Sequence, residues 1–365
     1  MAAHGSEGWR FEWLITWDEV WDPAFVRQWE GWMEASPDAH VFFHPALVRA
    51  WTETYRPLRR LEPRFLIGRR GEDCTVFFPL VLDRCGWKDA WLRVIRPVGY
   101  NEYDYHDPVW AGERTPTLTS SFWQALREGL NRQKMADVAS VPRVREPCAT
   151  EGNGFAEVNK APFIPLSGIG SIEELLSRFS GKSRYNLRRE RAQLERLGAL
   201  RLRVFGQDEV QPALGVLPDF LRAHVDKWPG AYRADGFFGR LVSHGLPSGV
   251  LHVSVLEVGG KAVSWHIGFF CRRRFYYYVP AFNHEAARCS PGAVHLVKLI
   301  EDALARGATV FDLLTGEEAY KLRWTNTSTV LYGFTMRMPG LGSWVRSAGR
   351  KALRRAASVV LRRPV

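Results

Sequence analysis

Ser290-Pro291-Gly292 ends a polar loop and opens a helical pattern, with Arg288 two residues ahead of it. A strand that feeds a small-residue loop at a helix N-terminus offers free backbone N–H groups and a positive dipole end, an ordinary means of holding phosphate. Ser290 reads as an N-cap, Pro291 fits the first turn, where its missing N–H is harmless, and Gly292 permits close backbone approach. Taken alone, these residues describe an ordinary capped turn equally well. Three further groups are able to move a proton: His266 between Trp265 and Ile267, Asp312 in Phe311–Gly316, and Tyr320 of Tyr320-Lys321. Each also has a structural reading: a core histidine, a turn cap, and a packing tyrosine beside a surface lysine. Cys289 would need a partner base to act as a nucleophile, and none is identifiable, so an idle thiol is preferred. His40 and His44 are four apart, but Pro45 breaks a shared helical face and no metal is expected.

These residues must be positioned by elements that the chain repeats. At 365 residues it is comfortable for two domains, and 46% hydrophobic residues supply material for packed cores. The first half reads as a Trp-rich start, a helix from Asp22-Pro23 to Met33, and another from His44-Pro45 to Tyr55. Strands follow at 65–67, 75–82 and 91–98, then the loop GYNEYDYHDP (99–108), a helix after Thr115-Pro116, and a strand at 136–141. Pro142–Gly154 reads as a linker. In the second half a capping box at Ser171–Glu174 precedes a strongly basic helix over 181–198. A helix at 211–228 follows, then a hairpin across Gly259-Gly260, an aromatic strand at 275–282, the 291–306 helix, and strands at 309–314 and 329–336. The shared order of helix, paired strands, third strand, loop, helix and strand argues for two similar α/β domains, 1–150 and 151–338, with a separate tail over 339–365.

The second half resembles the GNAT superfamily of N-acyltransferases. The resemblance is closer to the CelD-like acyltransferases of polysaccharide biosynthesis, which are related to FemAB-type tandem-GNAT proteins. It rests on the basic helix KSRYNLRRERAQLERLG (182–198), His224–Trp228, the glycine-turned strand pair, Ser290–Gly292, Phe311–Gly316 and Tyr320–Trp324, in order, over about 165–335. The usual GNAT phosphate loop, Arg/Gln-x-x-Gly-x-Gly/Ala, differs by one residue in the spacing from Arg288. The resemblance implies an α/β (α+β) fold of two tandem GNAT-like domains, each a mixed, mostly antiparallel sheet flanked by helices. It also implies transfer of an acyl group from acetyl-CoA or a longer acyl-CoA to an amine. Catalysis is then expected of His266, Asp312, Tyr320 and Lys321. The acyl-CoA would lie on Arg288, Ser290, Gly292, Ala293 and Val294. The acceptor, a small-molecule or lipid-linked amine such as an amino sugar, would face Asp104, Tyr105 and His106 of a degenerate first domain, with His224 and Trp228. A long-chain base, an aminoacyl-RNA donor and a non-catalytic scaffold role are the alternatives.

The net charge of +11 is concentrated in the tail, where Arg346, Arg350, Lys351, Arg354, Arg355, Arg362 and Arg363 stand without an acid. Leu341, Val345, Ala348, Ala352, Ala356 and Val359 share one side of its helical wheel, and five of the cations share the other. A basic amphipathic helix reads either as a peripheral membrane-surface element or as a helix docked on its own domain. No RNA-binding signature accompanies the basic 182–203 stretch, so no nucleic-acid partner is expected. Five scattered cysteines, no leader-like N-terminus and no long apolar run lead to the expectation of a cytoplasmic chain, with peripheral contact at the inner membrane face if the tail is a surface element.

Overall fold

The structure is a computed structural model that describes residues 8–72, 74–152, 154–227 and 234–360. It divides into two compact units, one of 1–159 with 330–365 and one of 160–329. The first unit contains strands β1 (Arg10–Leu14), β2 (Arg60–Arg70), β3 (Cys74–Arg84), β4 (Arg93–Pro97), β5 (Val109–Gly112) and β6 (Val138–Arg145). The second holds β7 (Ala156–Pro165), β8 (Leu200–Val204), β9 (Leu251–Val258), β10 (Lys261–Cys271), β11 (Arg274–Phe282) and β12 (Val310–Asp312), and β13 (Ser328–Arg337) follows.

In the first unit the sheet order is β1-β2-β3-β4-β6-β13, with β5 also pairing β3. Among the described residues β4 and β6 run parallel, and the pairs β1–β2, β2–β3, β3–β4, β3–β5 and β6–β13 are antiparallel. Residues from Leu331 on in β13 pair with β6, so a strand read from the sequence as closing the second half completes the first unit's sheet. The Trp-rich start supplies core. Asp22 caps the helix Pro23–Ala35, which lays a fully buried Trp29 edge-on to Phe65, ring centroids 5.8 Å apart, and beside Phe77.

The second unit's sheet runs β7-β12-β11-β10-β9-β8. Gly259 and Gly260, with φ of 56° and 77°, make the tight turn between β9 and β10 that side chains resist. The single helix expected over 211–228 is two, Val210–Gly215 and Leu217–Lys227. Pro212 and Pro218 each fall in a first turn, where no N–H is required. The core packs Ile164, Phe275, Leu296, Leu299, Ile300 and Phe311 between the sheet and the helix Pro291–Ala305.

The tail forms the helix Leu341–Val360, held to the first unit by Asp137 at the head of β6. Asp137 is 1% exposed, and its carboxylate accepts from Arg346 at 2.6 and 2.8 Å and from Arg93 at 3.1 Å. Burial opposes the charge, but the hydrogen bonds from Arg346 and Arg93 outweigh it and hold the pKa down at about 2. The stabilisation is therefore complete above the unfolded value of about 3.9 and is lost as pH falls through the folded one. Urea unfolding of Asp137→Asn against wild type checks this: the difference should stay constant above about pH 4 and shrink steadily towards pH 2.

Candidate functional site

The parallel ladder between β11 and β12 is short. Arg274, Phe275 and Tyr276 pair with Val310, Phe311 and Asp312, and the strands then separate while β11 continues to Phe282. Asp312, 1% exposed, ends the ladder: one carboxylate oxygen accepts from Leu314 N–H at 2.9 Å, the other from the Arg274 guanidinium at 2.9 Å. Leu314 takes a left-handed φ of 61°, which turns the chain away from the sheet and makes β12 shorter than the expected 309–314 strand. A cavity of about 330 Å³ opens beyond the parting. Tyr277, Pro280 and Phe282 of β11 line it, with Ser290–Ala293 at the helix start and Tyr320, Arg323 and Trp324 after the turn.

Ser290 occupies the N-cap position, but with φ 50° and ψ 51° its hydroxyl makes no capping bond, contrary to the sequence reading. Its carbonyl instead accepts from Ala293 and Val294 N–H at 3.0 and 3.3 Å. Gly292 is thus the first amide of the helix, behind a proline that has none, and it faces the cavity. Of the five residues expected at an acyl-CoA, Ser290, Gly292 and Ala293 line this space. Val294 points to a second cavity of about 180 Å³, lined also by Arg184, Leu187, Arg188, Arg191 and Lys298. Arg288 is exposed and borders neither. Leu187, on the basic helix Gly181–Glu195, borders both.

The expected proton-moving residues separate into two groups. Tyr320 lines the cavity, and burial, then the Glu318 carboxylate, push its phenol above the ordinary value. Tyr277 is pushed up as well, by burial and then by Tyr320. Asp312 and Lys321 lie outside the lining. Lys321, 5% exposed, donates to the Thr315 carbonyl at 2.7 Å and pairs with Glu318 at 2.9 Å, tying the turn that carries Tyr320. His266 is wholly buried beneath the cavity wall, stacked on Tyr277 with centroids 4.7 Å apart, and neither ring nitrogen has a partner among the described residues. Burial, then His252 and His295, hold its pKa well below the ordinary value, so the ring is neutral. His295 sits between Ser254 and Ser264, its pKa lowered by burial and then by His252 to about 3.

The acceptor residues expected in the first unit are core. Tyr105 is 1% exposed beneath the Arg145 guanidinium, and His106 is fully buried with Nδ1–H donating to the Pro142 carbonyl at 2.9 Å. Neither presents a surface to a ligand, because the 99–108 loop folds its rings inward; Tyr103 does the same, donating to the Leu47 carbonyl at 2.6 Å. Asp104 is half-buried. In the second unit His224 is buried and stacked on Phe220, and Trp228 lies outside the described residues. The lining residues that sequence reading passed over are the rings of Tyr277, Phe282 and Phe179, with Ser183 and Arg323. Three consecutive tyrosines in β11 were their signal, since strand alternation must aim some of them at the helix side.

Gly268 sits in a bulge of β10, where an added Cβ would lie 2.3 Å from the His266 ring and 2.4 Å from the Tyr276 carbonyl. Gly268→Ala should therefore lower the melting temperature and the cavity's ligand affinity together, which thermal melts and calorimetry check. A buried neutral histidine lets the unfolded chain take up a proton first, so stability is full above about pH 6.5 and declines below it. His266→Phe keeps the stack and should flatten that decline by about one proton, roughly 1.4 kcal/mol per pH unit. Urea unfolding between pH 7 and about pH 5 reads the slope.

A family model described as an acetyltransferase (GNAT) domain matches residues 181–322, which contain the cavity's loop, helix and tyrosine turn. No curated protein matches the chain. Among solved structures it is similar to FemX, with a TM-score of 0.61 at 10% identity over 85% of this chain and 96% of that one. It is also similar to the C-terminal domain of a putative lysylphosphatidylglycerol synthetase from Agrobacterium fabrum, with a TM-score of 0.54 at 15% identity over 91% and 95% of the two chains. At such identities the likeness concerns the fold. The stretch similar to a GNAT acetyltransferase domain thus lies in the second of two mixed α/β units, and the fold of the chain is similar to that of FemX.

Proposed function

We propose that the second unit transfers an acyl group from a CoA thioester to an amine. The observation that carries this is the cavity opened where β11 leaves β12, with the helix start at Gly292 on one wall and Tyr320 on another. The helix N-terminus suits the pyrophosphate, and Arg184 and Arg188 of the second cavity suit the outer phosphates. The rings of Phe179, Tyr277, Phe282 and Trp324 suit the thioester end and its acyl chain. In the transfer the amine nitrogen bonds to the thioester carbon, the C–S bond breaks, and the amine gives up its proton. No carboxylate or histidine lines the cavity among the described residues, so that proton passes to water. A phenol raised above its usual value stays protonated and hydrogen-bonds the departing thiolate without becoming a phenolate, since thiols ionise near about 8.5.

The ordered motifs shared with CelD-like proteins favour an amine on a glycan or lipid precursor as acceptor, and the free cysteines suit a reducing cytoplasm. Incubation with acyl-CoAs of graded chain length and a panel of amines, following thiol release, tests the reading. Tyr320→Phe should lower kcat roughly a hundredfold with little change in KM. Ala293→Glu, placing a negative charge against the phosphates, should weaken CoA binding about tenfold or more by calorimetry. Absence of both CoA binding and thiol release would point to a scaffold, and activity destroyed by RNase to an aminoacyl-RNA donor.

A further inference from the structure

The helix Leu341–Val360 docks by its polar side. Ser343 donates to the Asp137 carbonyl at 2.8 Å, Arg346 grips the Asp137 carboxylate, and Arg350 reaches Asp89 at 2.8 Å. Gly349 faces Ala90 closely enough that an added Cβ would lie 3.3 Å from it. At about 100° per residue these positions form one stripe, and Leu341, Trp344, Val345, Ala348 and Ala352 form the opposite one. That opposite stripe is open to the exterior: Leu341 is 78% exposed, Trp344 55% and Val345 52%. An amphipathic helix docked on its own domain ordinarily buries its apolar stripe. Here the arginines are used on the body and the apolar stripe is left outside.

The segment beneath the helix continues the pattern. Trp87 is 61% exposed and Trp91 68%, the latter at a left-handed φ of 51° that directs it outward. Both border an open hollow of about 700 Å³ lined by five arginines, Arg59, Arg60, Arg84, Arg96 and Arg350, against two acids, Asp83 and Asp89. Arg59 and Arg96 share Asp83 at 3.8 and 4.0 Å, Arg350 pairs with Asp89 and Arg84 with Glu62 outside the lining, which leaves a cationic excess in the hollow.

We infer that this face seats the first unit on an anionic phospholipid leaflet, with the apolar stripe and Trp87, Trp91 and Trp344 in the interfacial layer and the arginine hollow taking lipid phosphate. Tryptophan at an exposed apolar rim suits the headgroup layer, where its ring is buried and its N–H stays wet. No described helix is long and apolar enough to cross a membrane, so this one lies in the surface. Charge selects the occupant. The helix carries no acid and Lys351 borders the stripe, so a second copy would oppose cation to cation while anionic headgroups complement it. The inference stands on the first unit and is independent of which group the second unit transfers.

The test uses the full chain without substrate. Co-sedimentation with mixed phosphatidylglycerol–phosphatidylcholine vesicles should exceed that with phosphatidylcholine alone about tenfold and fall with added salt. A combined Leu341→Ser, Trp344→Ser and Val345→Ser variant should lose that binding about tenfold with an unchanged melting temperature, because the three side chains are exposed. Arg60→Gln with Arg84→Gln should weaken binding to the mixed vesicles, and inorganic phosphate at the same ionic strength should compete only slightly. Failure to bind mixed vesicles, or binding indifferent to the serine variant, overturns the inference. So does a dimer of the wild-type chain that the serine variant renders monomeric, which would make the stripe an interface between copies.

Discussion

A carboxylate held between a guanidinium and a backbone amide governs the second unit. Asp312 joins Arg274 on β11 to the Leu314 amide just past the end of β12, and the two strands stay paired only as far as that clamp. Beyond it β11 must go on with one edge open, and the chain after β12 must turn aside. The space between is filled by a helix start and an aromatic turn in place of sheet. Asp312 is buried while Arg274 is partly exposed, so removing the guanidinium would strand the carboxylate's charge away from water. Asp312 shapes the site without lining it.

The cavity's chemistry follows from its largely apolar lining. Its walls are mostly rings and aliphatic side chains, with the hydroxyls of Ser183 and Ser290 and with Arg323 the one charged side chain among the described lining residues. In such surroundings phenols stay protonated and histidines stay neutral, as Tyr320, Tyr277 and His266 each do. A site of this kind works by holding dipoles where charge develops; the helix start and the tyrosine hydroxyl are the dipoles on hand. Lys321 contributes from behind, pinning the turn through Thr315 and Glu318.

Much of this was legible in the residue order. The loop–helix junction at Ser290–Gly292, the hairpin across Gly259-Gly260, the Asp22 cap and the paired α/β units all carry local signals of turn chemistry and periodicity. Contacts distant in sequence carry none. Nothing in GYNEYDYHDP distinguishes rings folded into a core from rings offered to a ligand, and that choice is made by Leu47, Pro142 and Arg145, far along the chain. His266 likewise reads as a proton carrier until Tyr277 and Phe275 are seen closing over it. The tail's two faces were plain on a helical wheel, but Asp137 and Asp89 decide which one turns inward.

The return of β13 to β6 has a consequence for how the protein is made. The first unit's sheet lacks its last strand until residues beyond Leu331 leave the ribosome, and the whole second unit is synthesised in the interval. During that time β6 offers an unpaired edge, a template for any strand nearby. The second unit, contiguous from Lys160 to Thr329, can close its own sheet first. Order of synthesis and order of completion are thus reversed: the half that begins the chain is the last to finish folding.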